Sequence, residues 1–177
     1  MKIIGISGSL RANSISQAFL EFLLRNMEER GFVTSEADLK ILNLPLYNPK
    51  EGEEEINLSA YKKMMDEADG ILIINPEYHG SISGALKNAL DYLEAKKMAG
   101  KVAALVSILG GEAGGFSLEH LSTVARKLHL FVSPATLIIP KCETNIGKEG
   151  EPSTKELKER VGTFLDKFEF SLKKLKG

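Results

Sequence analysis

The sequence predicts an α/β protein: one open, five-stranded parallel sheet covered by helices on both faces. Three observations lead there. Short continuous apolar runs alternate with stretches of helical spacing, in the order βαβαβαβαβα. Strands separated by helices pair in parallel through right-handed crossovers. Three strand-to-helix connections are rich in glycine, serine and other small or polar residues, and in such a sheet they fall at one edge.

Each element has its own signal. Ile3, Ile4 and Ile6 form a short buried strand. Ile15, Ala18, Phe19, Phe22, Leu23 and Met27 recur at helical intervals and end at Gly31. Val33 to Ile41 alternates loosely and is expected to be the second strand. Leu44 to Glu55 holds two prolines, a glycine and four glutamates, and reads as a loop with a solvated charge run. A helix over about Leu58 to Glu67 precedes Ile71 to Ile74, a strand buried on both faces. Ile82, Ala85, Leu86, Ala89, Leu90 and Leu93 make the next helical stripe, Val102 to Ile108 a fourth strand and Leu118 to Leu130 a fourth helix. A fifth strand lies within Phe131 to Ile139, expected at Thr136 to Ile139 after Pro134. Ser153 with Glu156 announces the last helix as a capping box, and its stripe runs from Leu157 to Leu172.

Size and composition fit residues 1–177 as one domain, with no second domain, linker or repeat expected. The chain is 43% hydrophobic and 27% charged, with a net charge of -1, so nucleic acid is not an expected partner. The single cysteine, Cys142, forms no internal disulfide and points to a cytoplasmic location. No apolar run approaches the ~20 residues of a membrane span, and the first strand starts too early for a secretion signal.

The chemistry is expected beyond the carboxyl ends of the strands. The first connection, Gly5-Ile6-Ser7-Gly8-Ser9-Leu10-Arg11-Ala12-Asn13-Ser14, lacks the Lys-Ser/Thr ending of a P-loop and the GxGxxG of a dinucleotide site. It offers serine hydroxyls, the amides of a helix start and one arginine, a set suited to a terminal monophosphate. Ser14, three residues before Gln17, is equally readable as a helix cap. In the second connection, Asn75 to Gly84, Tyr78 and His79 are planar groups able to flank a flat ring. A surface position is the alternative for His79, and for Glu77 either a solvated charge or a role in loop geometry. The third connection, Gly110-Gly111-Glu112-Ala113-Gly114-Gly115, allows close backbone approach to a ligand or simply a flexible link. His79, His120 and His129 show no metal-ligand spacing with Cys142, no GxSxG elbow occurs, and Cys142 reads as incidental.

Taken together, Gly8-Ser9-Leu10-Arg11 with Ser14, Pro76-Glu77-Tyr78-His79-Gly80-Ser81 running into Gly84-Ala85-Leu86-Lys87-Asn88-Ala89-Leu90-Asp91, and Gly110-Gly111-x-x-Gly114-Gly115 resemble the NADPH-dependent FMN reductase family, over about Met1 to Ile139. That family includes azoreductases, quinone reductases and chromate-reducing flavoproteins. The resemblance implies a flavodoxin-like three-layer sandwich with strand order 2-1-3-4-5 and noncovalent FMN. It assigns the FMN phosphate to Ser9, Arg11, Ser14 and Ser16, although many relatives carry asparagine where Ser16 stands. It lines the isoalloxazine ring with Pro76, Glu77, Tyr78, His79 and Gly80, and brings Gly110, Gly111 and Gly114 to its pyrimidine side.

The resemblance further implies NADPH or NADH as donor, hydride transfer to the flavin N5 without a protein acid or base, and a small acceptor. It also implies a homodimer or homotetramer. One nucleotide-binding unit in 177 residues leaves no separate nicotinamide domain, which favours alternating occupancy and ping-pong kinetics. A flavodoxin-type electron carrier shares the fold and the cofactor. It is disfavoured by the near-neutral charge and by Arg11 in the phosphate loop. A nucleotide-binding sensor without turnover is the third alternative.

Overall fold

A computed structural model describes residues 1–48 and 56–177. Strand β1 (Lys2–Ser7) leads through helix α1 (Ile15–Glu29) to β2 (Val33–Ala37), then to the single turn α2 (Leu39–Leu42) and helix α3 (Ile56–Asp66). Strand β3 (Gly70–Pro76), helix α4 (Gly84–Asp91), turn α5 (Ala95–Met98), strand β4 (Val102–Ile108) and helix α6 (Phe116–Lys127) follow. The chain closes with β5 (Phe131–Val132), β6 (Leu137–Ile139), turn α7 (Cys142–Asn145) and the long α8 (Lys155–Lys176).

All pairings in the sheet are parallel, in the order β2-β1-β3-β4-β5, with β6 also on β4. This is the flavodoxin-like order. Alternation along the strands divides the core into two layers. Ile3, Leu72, Ile74, Ala104 and Val106 pack against Phe19, Leu20 and Leu23 of α1 and Phe164 and Phe168 of α8. Ile4, Ile6, Ile71, Ile73 and Leu105 face Tyr61 and Met65 of α3, Leu86 and Leu90 of α4, and Leu121 of α6.

Three expected boundaries are corrected. The second strand ends at Ala37 rather than Ile41, because Asp38 accepts the amides of Lys40 (2.8 Å) and Ile41 (3.3 Å) and starts α2. The fifth strand is split: Phe131–Val132 pairs with Val102–Ala103, and Leu137–Ile139 pairs with Val106–Ile108. Between the two pieces stands Pro134, which has no amide to donate. The cap of α8 is Thr154, accepting the Leu157 amide at 3.2 Å, while the Ser153 amide donates to the Asn145 carbonyl.

Helix ends also move. The fourth long helix stops at Lys127. His129 takes a left-handed conformation (φ 60) and, with Leu130, donates back to the carbonyls of Arg126 and Ala125, a Schellman closure. The helix expected over Ile82 to Leu93 is confined to Gly84–Asp91, since Ser83 caps it by accepting the Leu86 amide. Of the loop expected over Leu44 to Glu55, residues 49–55 lie outside the described residues.

Candidate functional site: a cleft at the carboxyl edge of the sheet

Chain order reverses between β1 and β3, which are neighbours in the sheet although β2 lies between them in sequence. The connections after these two strands therefore diverge and leave a crevice. Register aligns their ends: Ser7 pairs with Ile74, Pro76 with Ile108, and Ile108 with Ile139.

A cleft of about 280 Å³ opens at this point. One wall comes from the first connection and the start of α1: Ser9, Arg11, Asn13, Ser14, Ile15 and Ser16. The other comes from the ends of β3 and β4: Pro76, Glu77, Tyr78, Ile108 and Gly110. Cys142 and Glu143 of α7 complete it.

The first wall is built to donate. Ser9, Ser14 and Ser16 are buried, whereas Arg11 is exposed. The first turn of a helix leaves amides without intrahelical partners, and of these the Gln17 amide is taken by Ser14 Oγ at 3.1 Å. The expected capping box is half formed. The Gln17 side chain turns away to Glu36 and Glu21 instead of returning to Ser14. Hydroxyls, helix-start amides and one fixed cation make a donor set that fits a phosphate monoester.

The second wall sets Pro76, Tyr78 and Ile108 beside Glu77 and Gly110. Tyr78 and Ser81 exchange both backbone hydrogen bonds (3.2 and 3.1 Å), closing a two-residue turn whose corners, His79 (φ 51) and Gly80 (φ 75), both have positive φ. This turn holds His79 and Gly80 outside the lining of the cleft and projects Tyr78 toward it, 39% exposed. The turn is further tied to α6 by Ser81 Oγ and His120 Nδ1 at 3.1 Å.

Glu77 is not a solvated charge. Its Oε2 accepts the amides of Gly115 (2.9 Å) and Ser117 (3.0 Å) and the hydroxyl of Ser107 (3.4 Å). Burial pushes the carboxyl up, but these donors outweigh it and leave the group below the usual glutamate range. Gly114 explains itself here, since a Cβ would lie 2.6 Å from Glu77 Oε1. Of the expected third-connection glycines, Gly110 lines the cleft while Gly111 and Gly114 do not. The Gly111 carbonyl accepts the Lys141 amide, and Lys141 pairs with Glu112.

Sequence reasoning missed two features. Asn13, Ile15, Ile108 and Glu143 line the cleft without any motif to mark them, and Cys142 does so although it was expected to be incidental. Burial and the neighbouring Glu143 push the Cys142 thiol up, which keeps it protonated. The second feature is a buried clasp below the cleft. Ser83 Oγ donates to the Gly8 carbonyl at 2.7 Å, and Asn75 Oδ1 accepts the Ser83 amide at 2.9 Å. A polar Asn75 ending an apolar strand, and a serine just before a helical stripe, were the available signals.

The profile of one family, NADPH-dependent FMN reductase, matches residues 1–144. The chain belongs to that family. It is accordingly an oxidoreductase that works with FMN and a reduced nicotinamide nucleotide, in a family of reductases acting on small-molecule acceptors. Among curated relatives it is similar to an NADPH azoreductase of Bacillus sp. (strain OY1-2), 28% identical over 94% of this chain and 96% of that protein. It is also similar to an NAD(P)H:quinone oxidoreductase of Solanum tuberosum, 30% identical over 100% of this chain and 95% of that one. Among solved structures, the flavoenzyme NAD(P)H:(acceptor) oxidoreductase FerB of Paracoccus denitrificans shares the fold, with a TM-score of 0.83 at 22% identity, covering 98% of both chains. Among the described residues of this FMN reductase family member, no group of three or more His, Cys, Asp or Glu is placed to hold a metal, and no helix is long and apolar enough to cross a membrane.

Proposed function

We propose that residues 1–177 act as one cytoplasmic FMN-dependent NAD(P)H reductase unit. The electrons would go to a small planar or oxyanionic acceptor: a quinone, an azo compound, free flavin or a metal oxyanion. The observation that carries this reading is that the hydroxyls, helix-start amides and Arg11 of the first connection share one cleft with Pro76, Tyr78 and Ile108.

In this reading Ser9, Arg11, Ser14 and Ser16 hold the cofactor phosphate. Pro76, Glu77 and Tyr78 line its ring and Gly110 brings backbone to it, while His79, Gly80, Gly111 and Gly114 shape the turn and loop that carry these residues. FMN held by these residues would supply the redox chemistry, a two-electron exchange between a reduced nicotinamide nucleotide and the acceptor. The protein binds, orients and leaves one side uncovered. Donor and acceptor then use the same opening in turn, and no side chain is required to move a proton. That its relatives include an NADPH azoreductase and an NAD(P)H:quinone oxidoreductase supports the acceptor class. A homodimer or homotetramer is proposed from the family resemblance.

The test is spectroscopic. The purified protein is expected to be yellow, or to become so on adding FMN, and anaerobic NADPH is expected to bleach it directly. A colourless protein that takes up no FMN overturns the proposal. Flavin uptake without bleaching by NADPH or NADH makes the protein an electron carrier instead.

A further inference from the structure

Helix α6 begins without a cap of its own. Its N-cap residue is Gly115 (φ 99), which has no side chain to accept the amides of the first turn. Among the described hydrogen bonds that task falls to Glu77, 38 residues earlier and on the neighbouring strand connection. Its Oε2 takes the Gly115 amide at 2.9 Å and the Ser117 amide at 3.0 Å, the N-cap and N2 positions. Ser107 Oγ, at the end of β4, is 3.4 Å from the same oxygen and 2.7 Å from Ser117 Oγ. The Glu77 amide donates to the Ile108 carbonyl at 2.8 Å, so both ends of this residue are fastened to the next strand and its loop.

We propose that Glu77 is a positioning residue for cofactor binding: as the cap of α6 supplied from another loop, its carboxylate holds the 110–115 loop against Pro76–Tyr78, so that the two ring-facing segments are set as one surface. The inference rests on the reading of the cleft as a flavin site. The reason for a charged residue is physical. A carboxylate satisfies two amides at once, and its charge is favoured at a helix start. The reason for Gly114 is the same contact, since any Cβ there would press on Glu77 Oε1 and on Leu109 Cδ1, at 2.6 and 2.7 Å.

The experiment compares wild type, Glu77→Ala and Glu77→Gln in two measurements. Amide hydrogen exchange on the FMN-free protein reads the cap. Titration with FMN and with riboflavin reads the site. Glu77→Ala is expected to speed exchange at Gly115 and Ser117 and to weaken both flavins by about tenfold, the scale for losing hydrogen bonds to a charged group. Because the effect falls on the ring walls, the ratio of FMN to riboflavin affinity stays at the wild-type value, whereas Arg11→Ala changes that ratio.

Should Glu77→Ala fail to fold, Glu77→Gln carries the test. It keeps one acceptor and loses the charge, so it is expected to show the same pattern at smaller amplitude. Unchanged exchange at Gly115 and Ser117 overturns the inference. So does faster exchange with both flavin affinities within about twofold of wild type. A wild-type protein that takes up neither flavin overturns the proposed function and this inference together; normal uptake by wild type and variants alike overturns the inference alone.

Discussion

The guanidinium carbon of Arg11 lies 6.0 Å from the centroid of the Tyr78 ring. The cation of the first connection therefore leans on the aromatic residue of the second, across the mouth of the cleft both of them line. A cation at this distance from an aromatic face gains about 0.5–1 kcal/mol at an exposed site. That is less than a charge-assisted contact to phosphate provides, so an anion in the cleft can draw the side chain away from Tyr78.

Arg11→Ala is expected to weaken FMN binding by about 1.5–3 kcal/mol, the range for a hydrogen bond to a charged group. Fluorescence titration checks it. An unchanged dissociation constant removes Arg11 from the phosphate site. Arg11→Lys is expected to recover only part of the loss, because an ammonium lacks the planar fork.

Acid should loosen the Glu77 contact in a defined window. Burial raises the carboxyl, but the amides of Ser117 and Gly115 and the Ser107 hydroxyl bring it below its ordinary value. A depressed carboxyl stabilises the fold fully above the unfolded glutamate value, about 4.3. The contribution fades as pH falls toward and through the lower folded value. Urea unfolding of wild type and Glu77→Gln should therefore show a stability gap at neutral pH that narrows in acid below about pH 4. A gap that widens in acid contradicts the assignment.

Gly8→Ala tests the buried clasp beneath the cleft. An added Cβ would stand 2.4 Å from Ser83 Oγ and 2.9 Å from Leu86 Cβ, both in the packed start of α4. Overpacking of this kind costs about 1–3 kcal/mol. Denaturant unfolding should report that loss, and flavin affinity should fall as the first connection shifts.

Steady-state kinetics address how donor and acceptor share the opening. On the proposal that one cleft serves both, initial rates at several fixed acceptor concentrations are expected to give parallel double-reciprocal lines. Intersecting lines would show a complex with both substrates bound, and with it a second site.

The long, strongly patterned elements were legible in the sequence because periodicity reports burial. Val102 to Ile108 has no other stable place than between two helix layers, and the strand occupies those seven residues. Local polar chemistry was harder. Asp38 ends β2 by competing for backbone amides, while the apolar Leu39 and Ile41 suggest a continuing strand. Thr154 rather than Ser153 caps α8, because the Ser153 amide is already held by Asn145.

Sequence alone determined the layered α/β architecture, the edge of the sheet where the cleft opens and the identity of the family, since apolar period and motif spacing are properties of one dimension. Tertiary structure decided which candidates share the cleft. It brings Ser9, Arg11, Ser14 and Ser16 together with Pro76, Glu77, Tyr78 and Gly110, adds Cys142 and Glu143, and leaves His79 and Gly80 at the corner of a turn. It also turned Glu77 from an apparent surface charge into the cap of a helix that starts 39 residues later. The physical reason is that a hydrogen bond between neighbouring strand connections depends on sheet order and register, which no local pattern encodes.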